Sequence, residues 1–402
     1  MKSAIFAGLL MLVTTAAILA QPALNAQRLV PFVDPSDGTE LPSAHLDSPA
    51  IDVVFVLDTT GSMSGLIDTA KQKIWSIASS MASAQNAPEI RVGLVAYRDR
   101  GDAYVTRVTD LSHDLDSVYG QLMEFQAAGG GDTPESGHTA LRVAVDELSW
   151  SEDQNVYKTV FLVGDAPAHT DYQDEQSLSQ IVQRAVDRGI LVNTIRCGNS
   201  PATEAQWLQI ANLSQGKYLS VGQNVAAVAI DSPFDPELAE TSAALDATRM
   251  PYGDDYAMAT AIAKADATAK LHSEASEATR ARRAAFNAKA GGAKNLYGDN
   301  DLVEAVVSGR VDLETIAPAE LPAPLQGMTL AEQRAHIAGL DAERKKLAEH
   351  IDALSELRAA YLHEKAASMS EVEESFEYQI YETVKSQAAE AGIEYADAAP
   401  EL

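Results

Sequence analysis

Val53-Val54-Phe55-Val56-Leu57 runs directly into Asp58-Thr59-Thr60-Gly61-Ser62-Met63-Ser64. An unbroken apolar, largely β-branched run that stops at turn-forming residues reads as a buried strand. The carboxylate at its end, with hydroxyls two and four positions on, sets three oxygens around one strand-to-helix turn. Oxygen-only ligands suit a hard divalent cation such as Mg2+. The N-terminus of the next helix does not itself attract a cation, so carboxylates must dominate such a site. Two further stretches supply them. Gly129-Gly130-Gly131-Asp132-Thr133-Pro134-Glu135 is a Gly-rich loop that opens a helix at Ser136, and Val163-Gly164-Asp165-Ala166-Pro167 puts Asp165 at the end of another apolar strand.

Outward from these motifs, residues 51–221 alternate between apolar strands and amphipathic helices. The strands are expected at Val53–Leu57, Val92–Tyr97, Tyr104–Val108, Thr159–Val163, Leu191–Ile195 and Lys217–Val221. The helices are expected near Leu66–Met81, Leu115–Phe125, Ser136–Leu148, Leu178–Arg188 and Glu204–Leu213. Such interleaving predicts an α/β fold with a doubly wound, mostly parallel sheet. Ligands of these sheets sit beyond the carboxyl ends of the strands, where all three motifs fall.

Together the motifs resemble a von Willebrand factor type A domain with its metal-ion-dependent adhesion site. Asp58, Thr60 and Ser62 match the Asp-x-Ser/Thr-x-Ser element after the first strand, and Asp165 matches the later strand-end Asp. The Gly-Gly-Gly-Asp-x-Pro-Glu form of the loop resembles a bacterial subgroup in which Asp132 stands where Thr is usual; Thr133 is the other candidate. The resemblance covers residues 50–222. It implies a bound divalent cation, Mg2+ or another such as Mn2+ or Ca2+, and binding rather than turnover, with an acidic residue of a partner protein completing the coordination. The plainer alternative is that Thr60 and Ser62 only cap the helix.

A rival reading is enzymatic. Asp58-Thr59-Thr60-Gly61-Ser62 also resembles the nucleophile motif of haloacid-dehalogenase-like phosphatases, with Asp165 and Asp171 as later acids and Lys158 as the nearest cation. That family leaves the Gly129–Glu135 loop unexplained. Asp299-Asn300-Asp301 begins like a calcium loop, but Val303 and Glu304 stand where a ligand and Gly are required. His169 reads as a loop residue, Arg98 and Asp99 as local charges after the second strand, Trp150 and Trp207 as packing or surface residues, and Cys197 as a buried strand-end thiol.

Around this domain the chain has other characters. Lys2 followed by the apolar run Ala4–Ala20 reads as a signal peptide cut between residues 20 and 26, which makes the protein exported, periplasmic or secreted, with no membrane span after cleavage. Residues 21–49 read as a linker. The 402 residues carry 30 Lys and Arg against 58 Asp and Glu, a net charge of 30 − 58 = −28. That balance excludes nucleic acid, which needs clustered cations, while a hydrophobic content of 46% excludes wholesale disorder. After residue 222 the pattern is helical: 223–328 helical and irregular, with helices over Asp254–Ala290 and Asp301–Ile316, then 329–402 with a long helix and a last helix over Val372–Ala391. Thr329 and Glu332 form a capping-box pattern. Ile337, Leu340, Arg344, Leu347, Ile351, Leu354, Arg358 and Tyr361 follow at heptad spacing. This seam suits either packing on its own chain or a coiled coil that joins copies into an oligomer. Through these helices the protein would alternatively be a scaffold subunit of an envelope complex.

Overall fold

The computed structural model describes residues 49–65, 67–68, 77, 80–81, 84, 88–131, 133–221, 231–367 and 376–395. The expected signal peptide, nearly all of the linker and most of the helix expected over Leu66–Met81 lie outside the described residues. Strands β1 (Ala50–Asp58), β2 (Glu89–Tyr97), β3 (Thr106–Ser112), β4 (Tyr157–Gly164), β5 (Ile190–Cys197) and β6 (Tyr218–Val221) form one sheet. Their order is β3-β2-β1-β4-β5-β6, and of the neighbouring pairs β2–β3 alone is antiparallel. Every residue of β1 is buried, as a central parallel strand covered on both faces requires. Asp52 tolerates this because Arg91 binds it at 2.6 and 2.8 Å.

Helices α1 (Leu115–Glu124), α2 (Gly137–Asp146), α3 (Leu178–Asp187) and α4 (Pro201–Leu213) flank the sheet. Their starts are written locally: Asp114 accepts from the Ser117 amide at 3.2 Å, and Ser200 accepts from the Thr203 amide ahead of a helix that begins with Pro201. Helices α2, α3 and α4 cover one face, where Leu141, Val145, Ile181, Trp150 and Trp207 pack on Val54, Val56 and Val160. The opposite face holds Val53, Phe55 and Phe161 against Val118, Tyr119 and Leu122 of α1.

Beyond β6 the described chain is helical: α5 (Asp235–Asp246), α6 (Asp255–Glu274), α7 (Glu277–Ala288), α8 (Ala293–Tyr297), α9 (Leu302–Val307), α10 (Leu330–Ala367) and α11 (Phe376–Ala388). The single helix expected over Asp254–Ala290 is two, because Ser276 turns extended and caps α7 by accepting from the Thr279 amide. The helix expected over Asp301–Ile316 stops at Val307. No helix among the described residues is long and apolar enough to cross a membrane.

The heptad seam of α10 faces its own chain. Ile351 and Leu354 join Leu238, Leu245, Ala281 and Ala284 of α5 and α7, and Ile337 joins Met250, Leu302 and Leu325. The two arginines that interrupt the seam are anchors. Arg344 grips Asp301 with two bonds of 2.7 and 2.8 Å, and Arg358 donates to Asp235 at 2.7 Å. Asp301, from the rejected calcium loop, also caps α9.

The expected boundary near residue 222 separates the strands from the helices but does not separate their cores. Ile380, Tyr381, Val384, Ala388, Ile393 and Tyr395 are buried in the same cluster as Ile51, Phe55, Phe161 and Ile195. Gln387 of α11 accepts from the Tyr157 hydroxyl at 2.7 Å and exchanges two bonds with the buried Asn193 amide, at 3.0 and 2.9 Å. The last helix therefore closes one face of the sheet. Gln387→Ala should cost about 1–3 kcal/mol, because it leaves Tyr157 and Asn193 with buried unpaired groups; urea unfolding measures it.

Candidate metal centre

In the order β3-β2-β1-β4-β5-β6, the connections diverge between β1 and β4. A crevice opens outside the carboxyl ends of a sheet at such a point. Asp58 is the last residue of β1, and Asp165 directly follows β4, whose Val163 pairs with Leu57. The fold therefore sets these two carboxylates side by side. Their closeness demands Gly164: a Cβ there would stand 2.5 Å from the Tyr97 hydroxyl and 3.1 Å from Asp58 Oδ2.

Four side chains then form one hydrogen-bonded chain. The Thr60 amide and hydroxyl both donate to Asp58 Oδ1, at 2.9 and 2.6 Å. Thr60 Oγ1 lies 3.2 Å from Ser62 Oγ, and Ser62 donates to Asp165 Oδ1 at 2.9 Å. Thr60 occupies the cap position of the turn Gly61–Met63 without making a side-chain cap bond, so its hydroxyl serves Asp58. Asp58 is fully buried and its Oδ2 has no partner. Burial, offset in part by the Thr60 bonds and reinforced by the charge of Asp165, raises its pKa to about 7.

The Gly-rich loop lies against this turn. The Ala128 amide donates to Thr59 O at 3.1 Å and the Gly61 amide to Gly129 O at 3.2 Å. Asp102 pins the loop from the side, accepting from the Gly130 amide at 3.1 Å and the Asp99 amide at 3.2 Å. Gly129, at φ 79°, has no room for a Cβ against that carboxylate. Of the two loop candidates, Asp132 lies outside the described residues, and Thr133 is exposed. Among the described residues no three Asp, Glu, His or Cys side chains are grouped to hold one metal ion. The described donor set is two carboxylates and two hydroxyls.

Several residues besides the candidate ligands shape this edge. Arg98 is buried and donates to Thr59 O at 3.2 Å and Gln126 O at 2.7 Å, tying the turn to the strand that follows it in the sheet. Its position at the end of β2, on the same sheet edge, was the available clue. Glu135 is buried, its amide bonded to Pro167 O and its carbonyl accepting from the His169 amide, each at 3.0 Å. Burial first, then the charges of Asp58, Asp99, Asp102 and Asp165, raise the Glu135 pKa to about 8. His169 is a loop residue held by Asp171 at 2.7 Å and Asp99 at 3.3 Å. Cys197 is buried, and burial pushes its thiol pKa up. Lys158, the cation needed by a phosphatase reading, pairs in register with Asp52 at the opposite end of the strands. Six residues of extended chain, roughly 20 Å, separate that level from Asp58.

A family model described as the von Willebrand factor A domain matches residues 52–231. This part of the chain is a von Willebrand factor A domain. Human von Willebrand factor A domain-containing protein 7 is 37% identical over 98 residues, 24% of this chain and 10% of that protein. A putative ariadne-like RING finger protein of Acanthamoeba polyphaga mimivirus is 27% identical over 125 residues, 31% of this chain and 12% of that protein. The match thus spans about a tenth of these relatives' length. Among solved structures, the SpRpn10 von Willebrand factor A domain aligns at 15% identity and TM-score 0.35, covering 44% of this chain and 90% of that one. Proximal thread matrix protein 1 from the mussel byssus, solved with a zinc-occupied MIDAS motif, aligns at 15% identity and TM-score 0.36, covering 44% of this chain and 43% of that one. The von Willebrand factor A match ends at residue 231, so the helix that closes the domain's core lies outside it.

Proposed function

We propose that the von Willebrand factor A domain binds a divalent cation, Mg2+ first among them, through Asp58, Thr60, Ser62 and Asp165 with Asp132 or Thr133 from the loop. The observation that carries this is Asp58: a fully buried carboxylate with one oxygen unpartnered, joined by two hydroxyls to a second carboxylate. Burying a carboxylate without compensation is costly, and a cation at this edge supplies the compensation. Hard oxygen donors fit Mg2+, which retains waters and leaves positions for an outside ligand. An acidic side chain of a partner protein fills one of them. The bound ion would serve as the contact point, and the protein acts by adhesion rather than turnover. The apolar run at residues 4–20, read as a signal peptide, supports an exported protein.

Calorimetric titration with Mg2+ and Mn2+ tests the first step. Wild type should bind one ion, and Asp58→Ala and Asp165→Ala should each lose at least about tenfold in affinity, the lower end of what outer-shell changes alone cost. Unchanged affinity in both variants would remove the proposal. Partner capture from an envelope extract tests the second step. It should be abolished by EDTA and by Asp58→Ala; capture that survives both would transfer the function to the helices.

A further inference from the structure

We infer that a cavity between helices α2 and α3 is a second binding site, built for a small zwitterion of the amino acid class. Glu175 takes the ammonium, and Arg142 and His138 take the carboxylate. The cavity has a volume of about 330 Å3, at the small end of ligand pockets, and is lined by Arg100, His138, Arg142, Asp174, Glu175 and Ile181 among others. Two of these side chains carry polar atoms that nothing satisfies. His138 is 5% exposed, and its Nε2 is buried without a hydrogen-bond partner; Glu175 Oε2 is buried without one as well. Buried polar groups are ordinarily paired, so the lining calls for a ligand that supplies the partners. Its charges decide which. Two guanidiniums and two carboxylates line the cavity, a balance that suits neither a bare anion nor a bare cation. Arg100 is already engaged, donating to Asp174 Oδ1 at 3.0 Å and to Glu175 Oε1 at 2.9 Å, with its guanidinium 3.9 Å from the centre of the Tyr172 ring. Thr139 donates to the same Oε1. Glu175 therefore has one engaged oxygen and one open one, and an open carboxylate oxygen accepts only from a donor. An anion alone would face that charge and leave it unsatisfied. Arg142 makes a single described bond, to Glu147 Oε1 at 2.8 Å, which leaves guanidinium N–H groups for a carboxylate. Burial lowers the His138 pKa, so near neutral pH its ring is uncharged and Nε2 can donate in one tautomer. Ile181, 1% exposed, adds an apolar wall for the rest of the ligand. None of the candidate metal ligands lines this cavity, so the site stands whether or not a cation binds at Asp58.

Calorimetric titration of the full chain in EDTA, with each of the standard L-amino acids in turn, tests this. At least one should bind at a single site. The amine and the carboxylic acid obtained by deleting one charged group of that amino acid should each bind at least about tenfold more weakly, since each loses charge-assisted hydrogen bonds. Glu175→Gln and Arg142→Gln should each weaken the parent amino acid by a similar factor, whereas Asp58→Ala should bind it as wild type does. Binding of no amino acid overturns the inference, as does an amine or an acid that binds as tightly as its parent. Wild-type affinity in both Glu175→Gln and Arg142→Gln would move the ligand out of this cavity. Loss of binding in Asp58→Ala would assign the ligand to the metal-facing edge and likewise refute a separate site. The truncated ligands need only the wild-type chain, so the inference stays testable even if a variant fails to fold.

Discussion

A chain that ends before α11 should not fold cooperatively, although every strand and the whole candidate centre precede the cut. Ile380, Tyr381, Val384, Ala388, Ile393 and Tyr395 are each at most 8% exposed and belong to the core under β1, β4 and β5. Tyr395 further donates to Met81 O at 3.0 Å and meets the Tyr381 ring edge-on. Burying a large apolar side chain contributes about 1.5–3 kcal/mol, so the segment contributes on the order of 10 kcal/mol, as much as most domains possess in total. Removing it also leaves the Tyr157 hydroxyl and the buried Asn193 amide without Gln387. Circular dichroism melting of the truncated and full chains decides the matter: a broad or absent transition is expected. A truncated chain that melts within a few degrees of the full one would show that the face closes without α11. For the same reason, deleting residues 325–402 is no test of partner binding, and point variants of the centre are preferable.

Arg283→Met should be the most damaging single substitution in the helical region. Arg283 is fully buried and binds Asp116 of α1 at 2.8 and 2.6 Å and Asp246 of α5 at 2.7 and 3.0 Å. It thereby joins the helices to the sheet domain. Its removal leaves buried carboxylates without their main partner, a loss of roughly 3–5 kcal/mol. Replacing the charges together, as Arg283→Met with Asp116→Asn and Asp246→Asn, should recover most of that, because the damage lies in unpaired charge rather than lost volume. Urea unfolding of the single and triple variants reads the difference; equal losses in both would sink this account. Acid sensitivity follows with a definite sign. Burial alone would raise the pKa of Asp116, but Arg283, with Lys264 and Arg249, holds it far below the ordinary carboxylate range. Asp246 is lowered too: burial would raise it, and Arg283 and the His272 bond outweigh that. A depressed folded pKa gives stability that is complete above the unfolded value of about 3.9 and declines as pH falls below it. Wild type should therefore lose stability below about pH 4 more steeply than the triple variant.

Much of the sheet could be read in the chain because parallel strands buried on both faces have to be apolar runs: Val53–Leu57 and Thr159–Val163 announce β1 and β4, and the motifs mark their ends. Asp58 and Asp165 are accordingly placed on one edge by their strand ends alone. Arg98 and Asp102 are not, since their roles depend on which loops the topology stacks together, and no local pattern encodes that. The heptad seam was visible, but its owner was not. Arg344 and Arg358 read as blemishes in a coiled coil until Asp301 and Asp235, distant in sequence, appear opposite them. The division at residue 222 tracked the change from strand to helix composition, whereas shared burial crosses it.

The return of α11 to the sheet also sets a timetable for synthesis. Strand β1 emerges from the ribosome first, yet Tyr157 and Asn193 wait for Gln387 before their buried bonds can form. Contacts of such sequence separation close late and slowly, and domains otherwise tend to fold as they are made. The part of the sheet face around Tyr157 and Asn193 must therefore stay open until nearly the whole described chain has been translated.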